Sequence, residues 1–412
     1  MGYGEKVKKW FFDEDGDGED IAEDYDAVEV DTEPKTSLFE QAKFSKTSEA
    51  KAGAAVVMNV KTGEILAMAS YPDYEPELFV NGISQKKLDE YNKGDNIFNR
   101  AISGVYAPGS TFKMITAIAG LETGAITPTE KINDVGVYKK AHEPACWIWN
   151  SYGMTHGWLN VTDAIIHSCN YFFYEVGYRV TIDNIAKYAK YYGLGQKTNV
   201  ELPMEEEGVV ATRDKAKERG DEWQIGETLS AAIGQSYNSY TPIQMAKYIS
   251  MLANGGKPID VSIVKSVIDV NGNQISKEEI TKFVNAKLGL EKQEKEDLNI
   301  KKENLEAILK GMKGVTSEEG GTAYSTFADF NIELGGKTGS AQTDVNGKVN
   351  GWFVGFAPYD EPEVAVVVLV ENAGSGSYTA EVARDILQEY FGMNMEKVEE
   401  NLTALPSSEI QN

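Results

Sequence analysis

Val364-Ala365-Val366-Val367-Val368-Leu369-Val370 places seven apolar residues in a row between Glu363 and Glu371. Side chains of a strand alternate between its two faces, so a strand apolar at every position must be covered on both. This run therefore predicts the central buried strand of a sheet. Other stretches supply its neighbours. Ala54–Val60, the turn Lys61-Thr62-Gly63 and Glu64–Ala69 read as a β-hairpin. Ile332–Gln342 and Asn350–Ala357 read as further strands, Val261–Val270 as one or two more, and Thr379–Phe391 as a closing helix. Between them lie helical segments: Gln85–Tyr91, Thr111–Glu122, Asn160–His167, Thr181–Tyr192 and an amphipathic stretch at Thr241–Ala253. Residues 125–160 read as loop. Strands at both ends with a helical block inside give the α+β class, with a mainly antiparallel sheet flanked by helices and an inserted all-helical region.

Composition narrows the function. A hydrophobic content of 42% fits a globular chain. No apolar run approaches the ~18 residues that span a bilayer, and no signal-peptide core follows Met1. A net charge of −24 excludes nucleic acid as a partner. Residues 13–33 carry 12 acidic side chains and no Lys or Arg. Residues 1–48 are thus expected to be an acidic flexible lead-in, 49–392 the folded domain, and 393–412 a polar tail.

Chemistry concentrates where Pro108-Gly109 breaks the backbone just before a helix-compatible run. The break sets Ser110 at the mouth of a helix, with Lys113 one turn on along the same face. Serine becomes a nucleophile when a base takes its proton. Lysine can be that base if burial among Phe112, Met114, Ile115 and Ile118 penalises its charged form. Two further short motifs follow in order, Ser168-x-Asn170 and Lys337-Thr338-Gly339, each at an element boundary.

A Ser-x-x-Lys, Ser-x-Asn, Lys-Thr-Gly series of this order resembles the transpeptidase domain of class B penicillin-binding proteins over roughly residues 50–392. Asn99-Arg100, Tyr106–Ser110, His156-Gly157, Ile233-Gly234-Gln235, Thr241-Pro242, Gly336–Gln342 and Trp352–Pro358 extend the likeness. The resemblance implies a peptidoglycan D,D-transpeptidase of serine type that β-lactam antibiotics acylate. Ser110 would attack the penultimate D-Ala carbonyl of a stem peptide, with Lys113 as base. Ser168 would relay a proton to the leaving amine, and Asn170 would hold Lys113 and the substrate amide. Lys337 and Thr338, followed by Gly339, would receive the terminal carboxylate. The N–H groups of Ser110 and Ser340 would form the oxyanion hole. Family members usually carry threonine where Ser340 stands, and the missing methyl bears on β-lactam side groups.

The resemblance further implies partners in the glycosyltransferase and cell-wall machinery. It also implies an extracytoplasmic location, with membrane attachment only through an N-terminal anchor and a pedestal domain outside this sequence. No catalytic cofactor is expected.

All three histidines and both cysteines fall between His142 and Cys169. Asp163 and His167 are four apart on one predicted helix face, with Cys169 just beyond. If Ser168 and Asn170 face the cleft, Cys169 faces away, and Cys146 closes a structural zinc site of Cys146, Asp163, His167 and Cys169. A Cys146–Cys169 disulfide and two separate thiols stay open as alternatives, and His142 as an alternative ligand. His156 has a structural reading in the family's His-Gly pair.

Rival activities share part of the pattern. A class A β-lactamase needs a Glu-x-x-Leu-Asn motif for deacylation, which is absent, and a far shorter chain. A D,D-carboxypeptidase uses the same three motifs with water as acceptor. A β-lactam sensor, a binding module rather than an enzyme, shares Ser-x-x-Lys but not the wider context.

Overall fold

The computed structural model describes residues 51–393, apart from 81, 291–297 and 344–346. The expected acidic lead-in and nearly all of the expected polar tail lie outside the described residues. Strands β1 (Gly53–Asn59) and β2 (Ile65–Tyr71) form the predicted hairpin, closed by Gly63 at φ +74°. Two short strands follow, β3 (Ile132–Asp134) and β4 (Gly157–Leu159), and then β5 (Gly335–Gln342), β6 (Val349–Ala357) and β7 (Val364–Val370). The main sheet has the order β2-β1-β7-β6-β5 and is antiparallel throughout. β7 is therefore central, with Val367 opposite Val56 of β1 on one side and Val354 of β6 on the other. Every residue of β7 is buried, as an all-apolar strand requires.

Seven helices position the site and its supports: α1 (Lys113–Glu122), α2 (Val161–Ile166), α3 (Asn170–Val180), α4 (Ile225–Ala232), α5 (Pro242–Ala253), α6 (Lys302–Ser317) and α7 (Ser377–Tyr390). Helices α5 and α7 pack on β7 and β6, while α1, α3 and α4 form the inserted helical region. Helix α6 bridges the two parts, lying against β5 and α2. Gly311 and Gly314 permit that approach, since a Cβ there would press on Ile165 and Ile166.

Three local expectations differ from the structure. Val261–Val270 makes isolated bridges, Glu64 with Ser262 and Ile268 with Gln274, rather than a strand. Helix α5 is buried on all sides, not amphipathic. Its polar residues are satisfied inside: Gln244 Nε2 donates to the carbonyls of Gln196 and Glu207. The stretch read as loop holds β3 and β4, paired with Asp134 opposite Gly157.

Candidate active site

Gly109–Phe112 forms a 3₁₀ turn that runs directly into α1. Gly109 has φ +54°, and a Cβ on it would sit 2.7 Å from the Ser340 carbonyl oxygen, so only glycine lets this turn lie against β5. Its N–H donates to the carbonyl of Gly234 at 3.0 Å. Gly234 is equally constrained, because a Cβ there would lie 2.1 Å from Gly109 O. Ser110 thus hangs from a backbone clamped between β5 and the end of α4. Gly109→Ala should reduce acylation by roughly a hundredfold through sub-ångström displacement of Ser110, with stopped-flow acylation rates as the check.

Lys113, fully buried in the first turn of α1, donates to Ser168 O at 2.7 Å, Asn170 Oδ1 at 2.7 Å and Ser168 Oγ at 3.1 Å. Lys337, fully buried on β5, reaches the same Ser168 Oγ at 3.0 Å. One hydroxyl thus sits between two amines. Helix α2 ends at His167, and Ser168 takes φ +53° before α3 begins at Asn170. This left-handed residue aims the Ser168 hydroxyl and the Asn170 amide at Lys113 while sending Cys169 inward to full burial. Thr338 Oγ1 pairs with Thr322 Oγ1 at 2.7 Å, and Ser340 Oγ accepts from Gly376 N–H at 3.0 Å. β5 is the edge strand of the main sheet, the position at which an extended ligand can add as a further strand.

Burial pushes the Lys113 ammonium down to about 8, partly opposed by the Cys146 and Cys169 thiols. Burial and the facing Lys113 charge push Lys337 well down too. A base acts in its neutral form, so the acylation rate at subsaturating β-lactam should rise about tenfold per pH unit below 8 and level off above it. A flat profile from pH 6 to 9 would remove Lys113 from that role.

Behind Ser168 and Asn170, four potential ligand atoms gather within 4.8 Å, from Asp134, Cys146, His156 and Cys169. This corrects the expected set. Asp163 is spent on a capping box: it accepts from Asn160 N–H and donates its own N–H to Asn160 Oδ1. His167 caps the end of α2, its Nδ1 near Gly320 O, and only stacks on the His156 ring. Because α2 stops at His167 and the chain turns at Ser168, the helix-face argument that grouped Asp163, His167 and Cys169 does not extend to Cys169. His142 lies against Gly226. Asp134 and His156 take the vacated places, carried by β3 and by the residue before β4. Asp134 sits in a three-residue strand too short to carry a sequence signal, and His156 belongs to the His-Gly pair that has a structural reading.

The donor chemistry suits zinc. Tetrahedral zinc with sulfur at ~2.3 Å and nitrogen or oxygen at ~2.0 Å separates neighbouring ligand atoms by about 3.5–3.8 Å where sulfur takes part. The structure has Cys146 Sγ–Cys169 Sγ at 3.9 Å, Cys146 Sγ–His156 Nδ1 at 3.6 Å and Cys169 Sγ–Asp134 Oδ2 at 3.5 Å. The Asp134–His156 edge is shorter, a 2.7 Å hydrogen bond. Hydrogen bonding from Cys169 lowers the Cys146 thiol to about 5, whereas burial and the Cys146 charge push Cys169 up. His156 is raised to about 9: burial opposes the shift, and bonds to Asp134 and Cys146 outweigh it. At neutral pH the cluster therefore sets ionised Asp134 and Cys146 against a protonated His156, whose proton a metal would displace.

The chain matches the penicillin binding protein transpeptidase domain over residues 53–388. It is 33% identical over 370 residues to peptidoglycan D,D-transpeptidase MrdA of Haemophilus influenzae, covering 84% of this chain and 54% of that protein. Among solved structures, Pseudomonas aeruginosa PBP2 in complex with WCK 5153 is 33% identical, with a TM-score of 0.74 over 86% of this chain and 76% of that one. PBP2 of Helicobacter pylori, solved as a complex with MreC, is 28% identical, with a TM-score of 0.73 over 87% of this chain and 62% of that one. The chain spans about half the length of the curated relatives it matches. The chain belongs to the penicillin-binding protein transpeptidase domain family.

Proposed function

We propose that this chain is the catalytic part of a peptidoglycan D,D-transpeptidase that links stem peptides through an acyl-serine and is acylated by β-lactams. The observation that carries this reading is the Ser168 hydroxyl held between the Lys113 and Lys337 amines, beside the turn that presents Ser110. Neutral Lys113 takes the Ser110 proton as Oγ attacks the penultimate D-Ala carbonyl, and the N–H groups of Ser110 and Ser340 receive the oxyanion. The proton passes from Lys113 through Ser168 Oγ to the departing nitrogen. The C–N bond breaks, D-Ala leaves, and an ester to Ser110 remains. An amine from a second stem peptide then attacks that ester, its proton returns along the same path, and Ser110 is restored. Lys337 regains its charge when the terminal carboxylate arrives, with Thr338 alongside.

The likeness to PBP2, solved with MreC in one relative, supports a place for this protein among cell-wall assembly proteins on the outer side of the cytoplasmic membrane. Among the described residues no helix is long and apolar enough to cross a membrane. Asp134, Cys146, His156 and Cys169 would hold a structural zinc, which ties the β3–β4 ribbon to the Ser168–Asn170 turn and supplies rigidity rather than an activated water.

A fluorescent penicillin should label the chain covalently and stay attached for many minutes. Loss of label within seconds would make it a lactamase. Release of D-Ala that needs no amine acceptor and yields only shortened peptide would make it a carboxypeptidase.

A further inference from the structure

Ser168 holds a backbone conformation that a serine does not favour. It takes φ +53°, and a left-handed residue other than glycine keeps that geometry only where its surroundings fix it. The proton relay depends on this turn, which places Ser168 Oγ between the Lys113 and Lys337 amines. Some of the fixing contacts lie within the turn and the site. Ser168 N–H donates to Ile165 O at 3.2 Å, Cys169 N–H donates to Ala164 O at 3.0 Å, and Ser168 O accepts from Lys113 at 2.7 Å. Another comes from outside them: Trp147 Nε1 donates to His167 O at 3.2 Å.

That bond falls on the peptide that steers the turn. The His167 carbonyl and the Ser168 N–H belong to one planar unit, so fixing the oxygen fixes the plane from which Ser168 φ is measured. Helix ends leave their last carbonyls without an intrahelical donor, and α2 ends at His167. The indole is itself well held. Trp147 opens the short helix Trp147–Tyr152 and is half-buried, its ring 5.8 Å from the His156 ring and edge-on to Tyr152 at 6.5 Å. Cys146, one residue earlier, is tied to the chain just beyond β3, its N–H donating to Gly136 O at 2.8 Å. The other catalytic turn is held by the same device. Trp352 Nε1, from β6, donates to Ala107 O at 2.9 Å, two residues before the left-handed Gly109.

We infer that Trp147 is a positioning residue for acyl transfer: its indole N–H, through the His167 peptide, holds Ser168 left-handed and keeps the relay hydroxyl between the two lysine amines. The inference rests on the transpeptidase reading. Trp147 acts through Ser168 and is not itself a catalytic residue. Its loss should therefore lower the limiting rate of acylation and leave the half-saturating ligand concentration in place, because the relay works in the chemical step.

The test replaces Trp147 in the full chain in two ways. Trp147→Phe keeps a ring beside His156 and Tyr152 but has no N–H. A 3-benzothienylalanine at the same position keeps both fused rings and carries sulfur where the N–H stood, so it holds the packing if phenylalanine does not. In stopped flow with a fluorescent penicillin, each should lower the limiting acylation rate roughly tenfold and move the half-saturating concentration less than about twofold. Hydrogen exchange in the peptide carrying Ser168 and Cys169 should quicken by about the same factor. Tyr152→Leu, which removes a ring neighbour and leaves the N–H, should acylate within about twofold of the native rate. Native acylation by folded benzothienyl protein would overturn the inference. An equal loss in Tyr152→Leu would trace the effect to packing and overturn it too, as would a loss that appears only together with loss of bound metal. No penicillin label on the native chain would overturn the transpeptidase reading instead, while the exchange rates would still show whether the indole holds the turn.

Discussion

Ser110→Ala should abolish covalent penicillin labelling under conditions that saturate the native chain, and Lys113→Ala should slow it by at least about a thousandfold. The two losses have different origins. Without the hydroxyl no ester can form. Without the amine the hydroxyl keeps its proton, because no other described base is held against the Ser168 relay except Lys337, which faces the carboxylate end. Ser168→Ala should cost less than either, since Lys113 keeps its bonds to the Ser168 carbonyl and Asn170 Oδ1. Ser110 is partly exposed on its turn, so Ser110→Ala should shift the melting temperature by no more than about a degree. Labelling of Ser110→Ala at the native rate would place the nucleophile elsewhere.

The second large effect is expected from metal removal. Purified protein should contain one zinc per chain, and a strong chelator should lower the melting temperature by on the order of 10 °C, the scale of several kcal/mol lost from a domain of this size. The cause is electrostatic. Asp134, lowered to about 2 despite burial because His156 and nearby backbone N–H groups hydrogen-bond to it, and Cys146 both favour their ionised forms beside Cys169. A zinc ion would take the place of the His156 proton as the cation these groups surround, and its bonds would tie β3, the Cys146 segment and the Ser168–Asn170 turn together, so its removal takes away a cross-link. Acylation should slow as well, since Cys169 lies between Ser168 and Asn170. Cys169→Ser should reproduce both losses. Metal-free protein that lacks free thiols and melts identically in chelator would replace the zinc with a Cys146–Cys169 disulfide.

What the sequence reveals of this molecule depends on how far each signal reaches. Val364–Val370 announces a central strand because its pattern needs no partner to be read, and the 54–69 hairpin is marked by its own turn. Ser110, Lys113, Ser168, Asn170 and Lys337 sit in motifs whose spacing survives any loop length, and the fold joins the last four around the Ser168 hydroxyl. Signals that depend on tertiary context are harder. Gln244 and Lys247 suggest an exposed face on α5, yet both are buried. The β3–β4 ribbon is too short to show alternation, so Asp134 could not be placed. For the metal cluster, sequence identified the cysteines and the neighbourhood. Helical periodicity then chose Asp163 and His167, which the capping box and the Ser168 turn divert. Gly234 appears in the sequence only as context, and its role emerges from the 2.1 Å that a Cβ would leave to Gly109 O.

The central claim is that Ser110 is acylated while Lys113 and Lys337 share the Ser168 hydroxyl. It is tested most directly by mass spectrometry of the chain after brief exposure to penicillin. The account predicts a single adduct of the intact drug's mass, on the peptide carrying Ser110, persisting for many minutes. An adduct on another residue, or none in folded protein, would contradict it.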